Sequence, residues 1–343
     1  MRDLTVLAPL TTLRIGGPAR DIVEVTDADD LVDTVRALDE AGEPVLLLGG
    51  GSNVVVSDEG FDGTVVLIRT RGLVADVDRC SGATLTVAAG EVWDDFVAHA
   101  VDEEWVGVET LSGIPGRVGA TPIQNVGAYG QDVAQTIARV RTYDRRDKRV
   151  VTYSAVDCRF GYRTSRFKAE PGRHVVLEVT FQLELGSLSA PVRYAELART
   201  LGISVGDRAP LGDVREAVLG LRAGKGMVLD PDDHDTWSAG SFFTNPVLSA
   251  EAASALPADA PRFAQPDGQV KTSAAWLIEH AGFGKGYGRT AARVSSKHSL
   301  ALTNRGGATG YELLALAREI RDGVEAKFGV RLENEPVLVG AEL

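Results

Sequence analysis

"GIPGRVGATPIQNVGAYG", residues 113–130, holds five glycines in 18 residues. Long glycine-rich loops inside compact domains are as a rule either functional or disordered. Here apolar residues alternate with the glycines, which argues against disorder. Small residues and backbone amides on a close-approach surface suit a flat ring or a pyrophosphate. Gln124 and Asn125 place donors and acceptors at one locus. Taken alone, the stretch is equally a buried, irregular structural loop.

A second glycine cluster lies upstream. "PVLLLGGGSNVVVSD" (44–58) reads as strand, glycine loop, apolar strand. The loop "GGGSN" (49–53) is not followed by a helix, so it is no dinucleotide fingerprint, and no Gly-Lys-Ser/Thr follows, so it is no P-loop. A glycine turn between strands still forms a nest of N–H groups that binds a diphosphate. For an isolated triplet, a plain tight turn is the better reading.

Bulk properties narrow the field. The chain has 343 residues, enough for two or three domains and a large core. Its net charge of −12 excludes a general nucleic-acid binder, which needs a basic face. The two cysteines, Cys80 and Cys158, give no disulfide framework and no zinc pattern, so no metal site is expected. The opening residues lack a signal-peptide apolar run, and no stretch of about 18 apolar residues would span a bilayer. A cytoplasmic protein without a membrane or nucleic-acid partner is expected.

Periodicity places the elements. Leu31, Val35 and Leu38 mark a helix over 27–41, and "GTVVLI" (63–68) is a strand. The first lobe, 1–70, therefore alternates strand and helix. Lobe two, 71–205, has a strand at 83–90, a helix at 91–105, a hairpin at 137–154 and a strand at 174–185. A compositional break follows at 186–212. An α+β region over 206–325 carries helices "DVREAVLGLRAGKG", "TSAAWLIEHAG" and "GYELLALAREIRDGVEAKFG". In the last, Leu313, Leu316, Ile320 and Val324 form a stripe. The tail 326–343, with "VRLENEPVLVG", reads as a final strand.

One ordered set of motifs goes further. "TTLRIGG", "LLGGGSNVVVSD", "ETLSGIPGRVGATPIQNVGAYGQDV", "CRFGYRTSRFK", "AGSFFTNPV", "KTSAAWLIEHAG" and "LENEPVLVG" run from residue 11 to 340. Together they resemble the UDP-N-acetylenolpyruvoylglucosamine reductase family, in the type with a tyrosine substrate loop, here 186–200. The resemblance implies an α+β protein. Its two-lobed FAD-binding domain would be of the vanillyl-alcohol oxidase and p-cresol methylhydroxylase type, followed by a C-terminal α+β substrate-binding domain. It implies non-covalent FAD, since no histidine lies in or near 49–53, with NADPH as co-substrate and a monomer. The nucleotide-sugar enolpyruvyl ether would be reduced to the lactyl ether for peptidoglycan precursor synthesis.

On that resemblance Gly49, Gly50, Gly51, Ser52 and Asn53 bind the FAD diphosphate. Ile114, Pro115, Gly116, Gly119 and Ala120, then Gln124, Asn125, Gly127, Ala128 and Tyr129, flank the flavin, with Arg222 also on the cofactor. Tyr162, Tyr194, Lys225, Asn245 and His280 fall at substrate positions. Hydride delivery to the vinyl carbon places negative charge on the substrate carboxylate. A guanidinium forks onto such a group. Position alone does not choose among Arg159, Arg163 and Arg166; the resemblance selects Arg163. Glu333 and Glu335 share a face of a strand, and the resemblance selects Glu335 to polarise the same carboxylate.

Ser241 in "AGSFF" has no neighbouring base and no G-x-S-x-G elbow, so a nucleophilic role is disfavoured. The resemblance makes it the proton donor to the enolate carbon, a strong base that a positioned hydroxyl serves. Without it, Ser241 is a turn residue beside packed aromatics.

Two positions depart from the family pattern: His280, where relatives carry Gln or Glu, and Val337, where an arginine is common. Trp105 and Trp276 are expected in the core, and His298 is assigned no role. Two rival readings stand beside the reductase: an FAD oxidoreductase of the same fold with another substrate, and a non-catalytic nucleotide-sugar binder.

Overall fold

Asp27 starts the first helix by accepting the N–H groups of Asp29 and Asp30 at 2.7 and 3.2 Å. That helix, Ala28–Glu40, buries Leu31, Val32 and Val35. They meet Val25, Val66, Tyr143, Val175 and Leu177 in one small core. The strands Val45–Leu48 and Phe61–Ile68 run parallel, with Val45 opposite Thr64 and Leu48 opposite Leu67. The computed structural model describes residues 5–343.

The chain divides into two compact units. One comprises residues 1–5, 19–50 and 62–224; the other comprises 6–18, 51–61 and 225–343. This differs from the division expected at 70 and 205. The strand Val54–Val56 is wholly buried and pairs in parallel with Val337–Val339, which ties 51–61 to the C-terminal unit. Helix Leu211–Gly224 buries Val214 and Val218 against Leu197 and Ala198 of helix Ala195–Leu201, which keeps it in the first unit.

The first unit is built on an antiparallel sheet in the order Arg149–Ser154, Ile137–Asp144, His174–Leu185, Gly82–Ala88, Leu73–Asp78. Helix Trp93–Asp102 lays Trp93, Phe96 and Ala100 over it. Phe96 stacks on Phe181 at 5.0 Å between centroids. The expected substrate loop, 186–200, lies in the first unit. Ser189 N–H donates to Ala209 O and Leu211 N–H to Ser187 O, at 2.8 and 3.0 Å, and helix Ala195–Leu201 begins near the loop's C-terminal end.

In the second unit, helix Gly310–Phe328 starts on a Thr309–Glu312 capping box and ends on Gly329 at φ +66°. Leu313, Leu316, Ile320 and Val324 are buried, as the stripe predicts. Asp58 adds a second cap, accepting the N–H groups of Gly310 and Tyr311 at 2.7 and 2.9 Å. The helix covers the sheet Ser238–Ser241, Ala301–Asn304, Ala292–Val294. The segment 11–15 threads this core: Leu13 and Ile15 are buried, and the Thr12 hydroxyl donates to Ser238 O at 2.7 Å. The tail is a strand only over Val337–Val339. No helix among the described residues is long and apolar enough to cross a membrane.

Candidate functional site

The two glycine segments meet. A Cβ on Gly50 would lie 2.7 Å from the Gly116 Cα, and one on Gly49 would lie 3.5 Å from the Arg117 side chain. Only glycine permits the Gly50 approach. Downstream, a Cβ on Gly119 would meet Ala89 at 2.4 Å, and one on Gly127 would meet Asp132 at 2.8 Å. Among the described residues, the N–H groups of Gly49, Gly50 and Gly51 donate to no protein acceptor. Ser52 and Asn53 complete that loop, and the Asn53 carbonyl accepts from Val337 N–H at 3.0 Å.

Gln124 and Asn125 differ more than their adjacency suggests. Gln124 ends the short helix Thr121–Gln124; it is buried, and its Nε2 has no hydrogen-bond partner. A buried, unsatisfied amide costs free energy that a ligand recovers. Asn125, left-handed at φ +45°, spends its side chain inside the protein. Its Nδ2 donates to Gly161 O at 2.9 Å, and its Oδ1 accepts from Ala134 N–H at 3.1 Å. Of the pair, Gln124 carries the orphaned amide. Ile114, Pro115, Gly116, Gly127, Ala128 and Tyr129 are half-buried along the same run, while Ala120 is exposed.

Arg163 sits beside this segment. Its backbone is left-handed at φ +52°, its Nη2 donates to Gly127 O at 2.8 Å, and its Nη1 lies 3.5 Å from Asn125 O. The Lys168 ammonium holds the Arg163 carbonyl at 3.1 Å, and the guanidinium lies 5.6 Å from the centre of the Tyr162 ring. Arg159 shares the left-handed turn, whereas Arg166 is turned to Asp157 O and packs over Tyr153. Of the three, Arg163 is the one with bonds to the glycine run, at Asn125 O and Gly127 O. Burial raises the neighbouring Asp132 carboxyl above its usual range, against the opposing pull of Arg163.

Arg222, at the end of helix Leu211–Gly224, has a guanidinium so enclosed that burial pulls its pKa down to about 10, against the upward pull of Tyr129 and Asp94. Tyr129 and Tyr194 meet edge to face at 5.4 Å, with Tyr194 at the start of helix Ala195–Leu201. Tyr162 and Tyr194 are both largely exposed.

In the second unit, Ser241 ends a bulged strand. Ser238 pairs with Thr303 and Ser241 with Ala301, and Gly240 takes φ +73° between them. Among the described residues the half-buried Ser241 hydroxyl makes no hydrogen bond. It is a strand end, not a turn, and Phe242 and Phe243 behind it are buried, 5.1 Å apart.

Glu335 is brought to the same place: its N–H donates to Phe242 O at 2.8 Å, and Asn334 bridges Phe243. The expected strand through 333–335 is absent, so the shared face fails. Glu333 is exposed and takes Thr244 N–H on its carbonyl, while Glu335 is half-buried.

Asn245 is half-buried, and its Oδ1 accepts Ala274 N–H at 2.9 Å. Lys225 is half-buried just past the helix. His280 stacks on Trp276 at 3.8 Å, with Nδ1 2.8 Å from Trp276 O. Trp105 is buried, and Trp276 packs against the core, as expected.

Sequence reading passed over two cations at the glycine run. Arg69 Nη1 donates to Gly49 O and Arg117 Nη1 to Gly90 O, both at 2.8 Å. The one available signal was that Arg117 lies inside the quoted segment.

These features fit the FAD implied by the motifs. A crowded glycine cradle, free loop amides and an orphaned buried amide suit a flat ring carrying a diphosphate. Residues 19–153 match the FAD binding domain, and residues 230–339 match the UDP-N-acetylenolpyruvoylglucosamine reductase C-terminal domain. The UDP-N-acetylenolpyruvoylglucosamine reductase of Cutibacterium acnes is 61% identical over 340 residues, covering 98% of this chain and 90% of that protein. The protein of the same name from Mycobacterium tuberculosis is 50% identical, covering 98% and 95%. The crystal structure of the Thermus caldophilus protein of that name superposes with a TM-score of 0.67 at 24% identity, covering 98% of each chain, and so shares the fold.

Proposed function

Since the chain belongs to the UDP-N-acetylenolpyruvoylglucosamine reductase family and is an FAD-dependent oxidoreductase, we propose the following reaction. It reduces UDP-N-acetylglucosamine enolpyruvate to UDP-N-acetylmuramate at the expense of NADPH, in peptidoglycan precursor synthesis. FAD, when bound, supplies the hydride chemistry. Everything else falls to this chain's side chains.

Gly49–Asn53 bind the FAD diphosphate, and Gln124 with the glycine run holds the ring. Arg163 pairs with the substrate carboxylate and stabilises the charge that develops there; preorganised charge of this kind is a large catalytic contribution. Glu335 polarises the same end of the substrate. Ser241 gives its proton to the carbon next to the carboxylate, which completes the lactyl ether. Lys225, Tyr162, Tyr194, Asn245 and His280 bind the nucleotide-sugar, with Lys225 on its diphosphate.

The observation that carries this reading is the Ser241 hydroxyl. It is unspent, fixed at a strand end by the Gly240 bulge, and tied through Phe242 O to Glu335. The test separates the two half-reactions under anaerobic conditions. Ser241→Ala is expected to leave flavin bleaching by NADPH within about twofold and to slow reoxidation by the enolpyruvyl substrate by 10²-fold or more, the usual scale of acid–base catalysis. Wild-type reoxidation in Ser241→Ala would reject Ser241 as donor. Wild-type flavin that NADPH bleaches but the enolpyruvyl nucleotide-sugar does not reoxidise would move the enzyme to another substrate.

A further inference from the structure

Arg69 and Arg117 are half-buried cations beside the glycine run. Among the described residues neither guanidinium has a carboxylate within ion-pair distance. Each is held by neutral carbonyls alone: Arg69 Nη1 by Gly49 O at 2.8 Å and Ile68 O at 3.0 Å, Arg117 Nη1 by Gly90 O at 2.8 Å. Glu24 pulls on Arg69 and Glu91 on Arg117 only at longer range, and Glu91 is taken by Arg71 Nη1 at 2.8 Å and Gly72 N–H at 2.7 Å. Both guanidiniums are half-buried, and burial lowers the pKa of each; Arg69 and Arg71 push Arg117 down further, against Glu91 and Asp95.

A protein that folds two like charges close together, partly out of water, gives up stability. Such sites are kept where a ligand supplies the missing charge. The position says which ligand. Arg69 is bonded to the carbonyl of Gly49, and the Arg117 Cβ lies where a Gly49 side chain would reach it. Both therefore flank the turn whose N–H groups at Gly49 and Gly50 are unspent.

We propose that Arg69 and Arg117 form a cationic clamp on the diphosphate of FAD, adding two charge-assisted contacts to the backbone amides of Gly49 and Gly50. The proposal rests on the FAD reading of the glycine loop. It also separates two diphosphates in the proposed reaction: the clamp serves the cofactor, while the substrate's diphosphate is left to Lys225.

The test is FAD release from the full-length holoprotein on dilution, followed by flavin fluorescence, at two ionic strengths. Arg117→Gln is expected to weaken FAD by roughly 10- to 100-fold, the usual worth of a hydrogen bond to a charged group. It should also flatten the salt dependence, because one screened ion pair is gone. Arg117→Lys should recover most of the loss, as should Arg69→Lys relative to Arg69→Gln.

The deflavinated Arg117→Gln protein should melt no lower than deflavinated wild type, since a repulsion is relieved. With FAD saturating, the KM for the enolpyruvyl nucleotide-sugar should stay within about twofold. Unchanged FAD affinity in Arg117→Gln and Arg69→Gln overturns the clamp. So does a lost affinity that comes with a lower melting temperature and no recovery by lysine, which is the signature of a structural arginine. A raised KM with unchanged FAD affinity overturns it in favour of the substrate's diphosphate. Failure of the wild-type chain to retain FAD would instead sink the reading on which the clamp rests.

Discussion

Gly50 and Gly220 are both glycines, and the structure assigns them opposite outcomes. A methyl on Gly50 would meet the Gly116 backbone at 2.7 Å, where no side-chain rotation relieves it. Gly50→Ala should cost about 1–3 kcal/mol, as overpacking does, and give protein with a reduced 450 to 280 nm absorbance ratio. Gly220 lies inside helix Leu211–Gly224 with nothing within 4 Å of an added methyl. Gly220→Ala should therefore raise stability by about 0.5–1 kcal/mol through helix propensity, read as a higher melting temperature with flavin content unchanged.

Asp144 makes a pH prediction at the same scale. It is buried, clamped by the Arg173 guanidinium, and accepts the N–H groups of Arg146 and Asp147. Those contacts outweigh burial and hold its pKa at about 2 against an ordinary 3.8. Because the folded value is the lower, the stability is complete above 3.8 and is lost as pH falls through about 2. Between those values the melting temperature of wild type should fall more steeply than that of Asp144→Asn; parallel curves would show that Asp144 does not titrate in this window.

Among the elements, helix Gly310–Phe328 shows what a motif residue is for. Asp58 closes the "NVVVSD" stretch, beside residues read as cofactor ligands. Its carboxylate accepts Gly310 and Tyr311 N–H at 2.7 and 2.9 Å, at the positive end of the helix. Asp58→Ala should destabilise by about 0.5–2 kcal/mol, the usual worth of such a cap. The effect should appear in thermal unfolding, while FAD affinity stays at the wild-type value.

The elements were also what the sequence displayed best. The helices at Ala28–Glu40 and Gly310–Phe328 lie within a residue or so of their periodic patterns, because one buried stripe on a 3.6-residue period fixes them. The tail was misread for the same reason. "VRLENEPVLVG" reads as one final strand, but Asn334 makes only an isolated bridge, and regular pairing begins at Val337. Glu333 and Glu335, inseparable by spacing, are told apart by exposure.

At the scale of the whole molecule, the glycine segments announced their chemistry, and the ordered motifs announced the family. What they did not show was which parts of the chain fold together. The pairing of Val54–Val56 with Val337–Val339 joins segments some 280 residues apart, and no local pattern encodes a partner at that distance. Nor does an arginine in a sequence reveal whether it has a counter-ion, so Arg69 and Arg117 became informative only once their surroundings were visible. The long-range pairing is open to test. Val337→Pro removes the N–H that bonds Asn53 O at 3.0 Å, next to the glycine loop. It should cost about 1–3 kcal/mol, the worth of a lost ladder bond with its acceptor left unpaired, and increase protease cleavage within 51–61, with the antiparallel sheet of the first unit unaffected.

The same pairing sets an order of events during synthesis. The N-terminal segment that contains Gly51–Val56 leaves the ribosome early, but the strand that completes its pairing ends at Val339. The residues of the first unit, which end at Gly224, are all made before that point. A nascent chain therefore spends most of its translation with a strand of three buried valines awaiting its partner. For that interval it carries an unpaired apolar strand edge, the kind of edge through which incomplete chains associate.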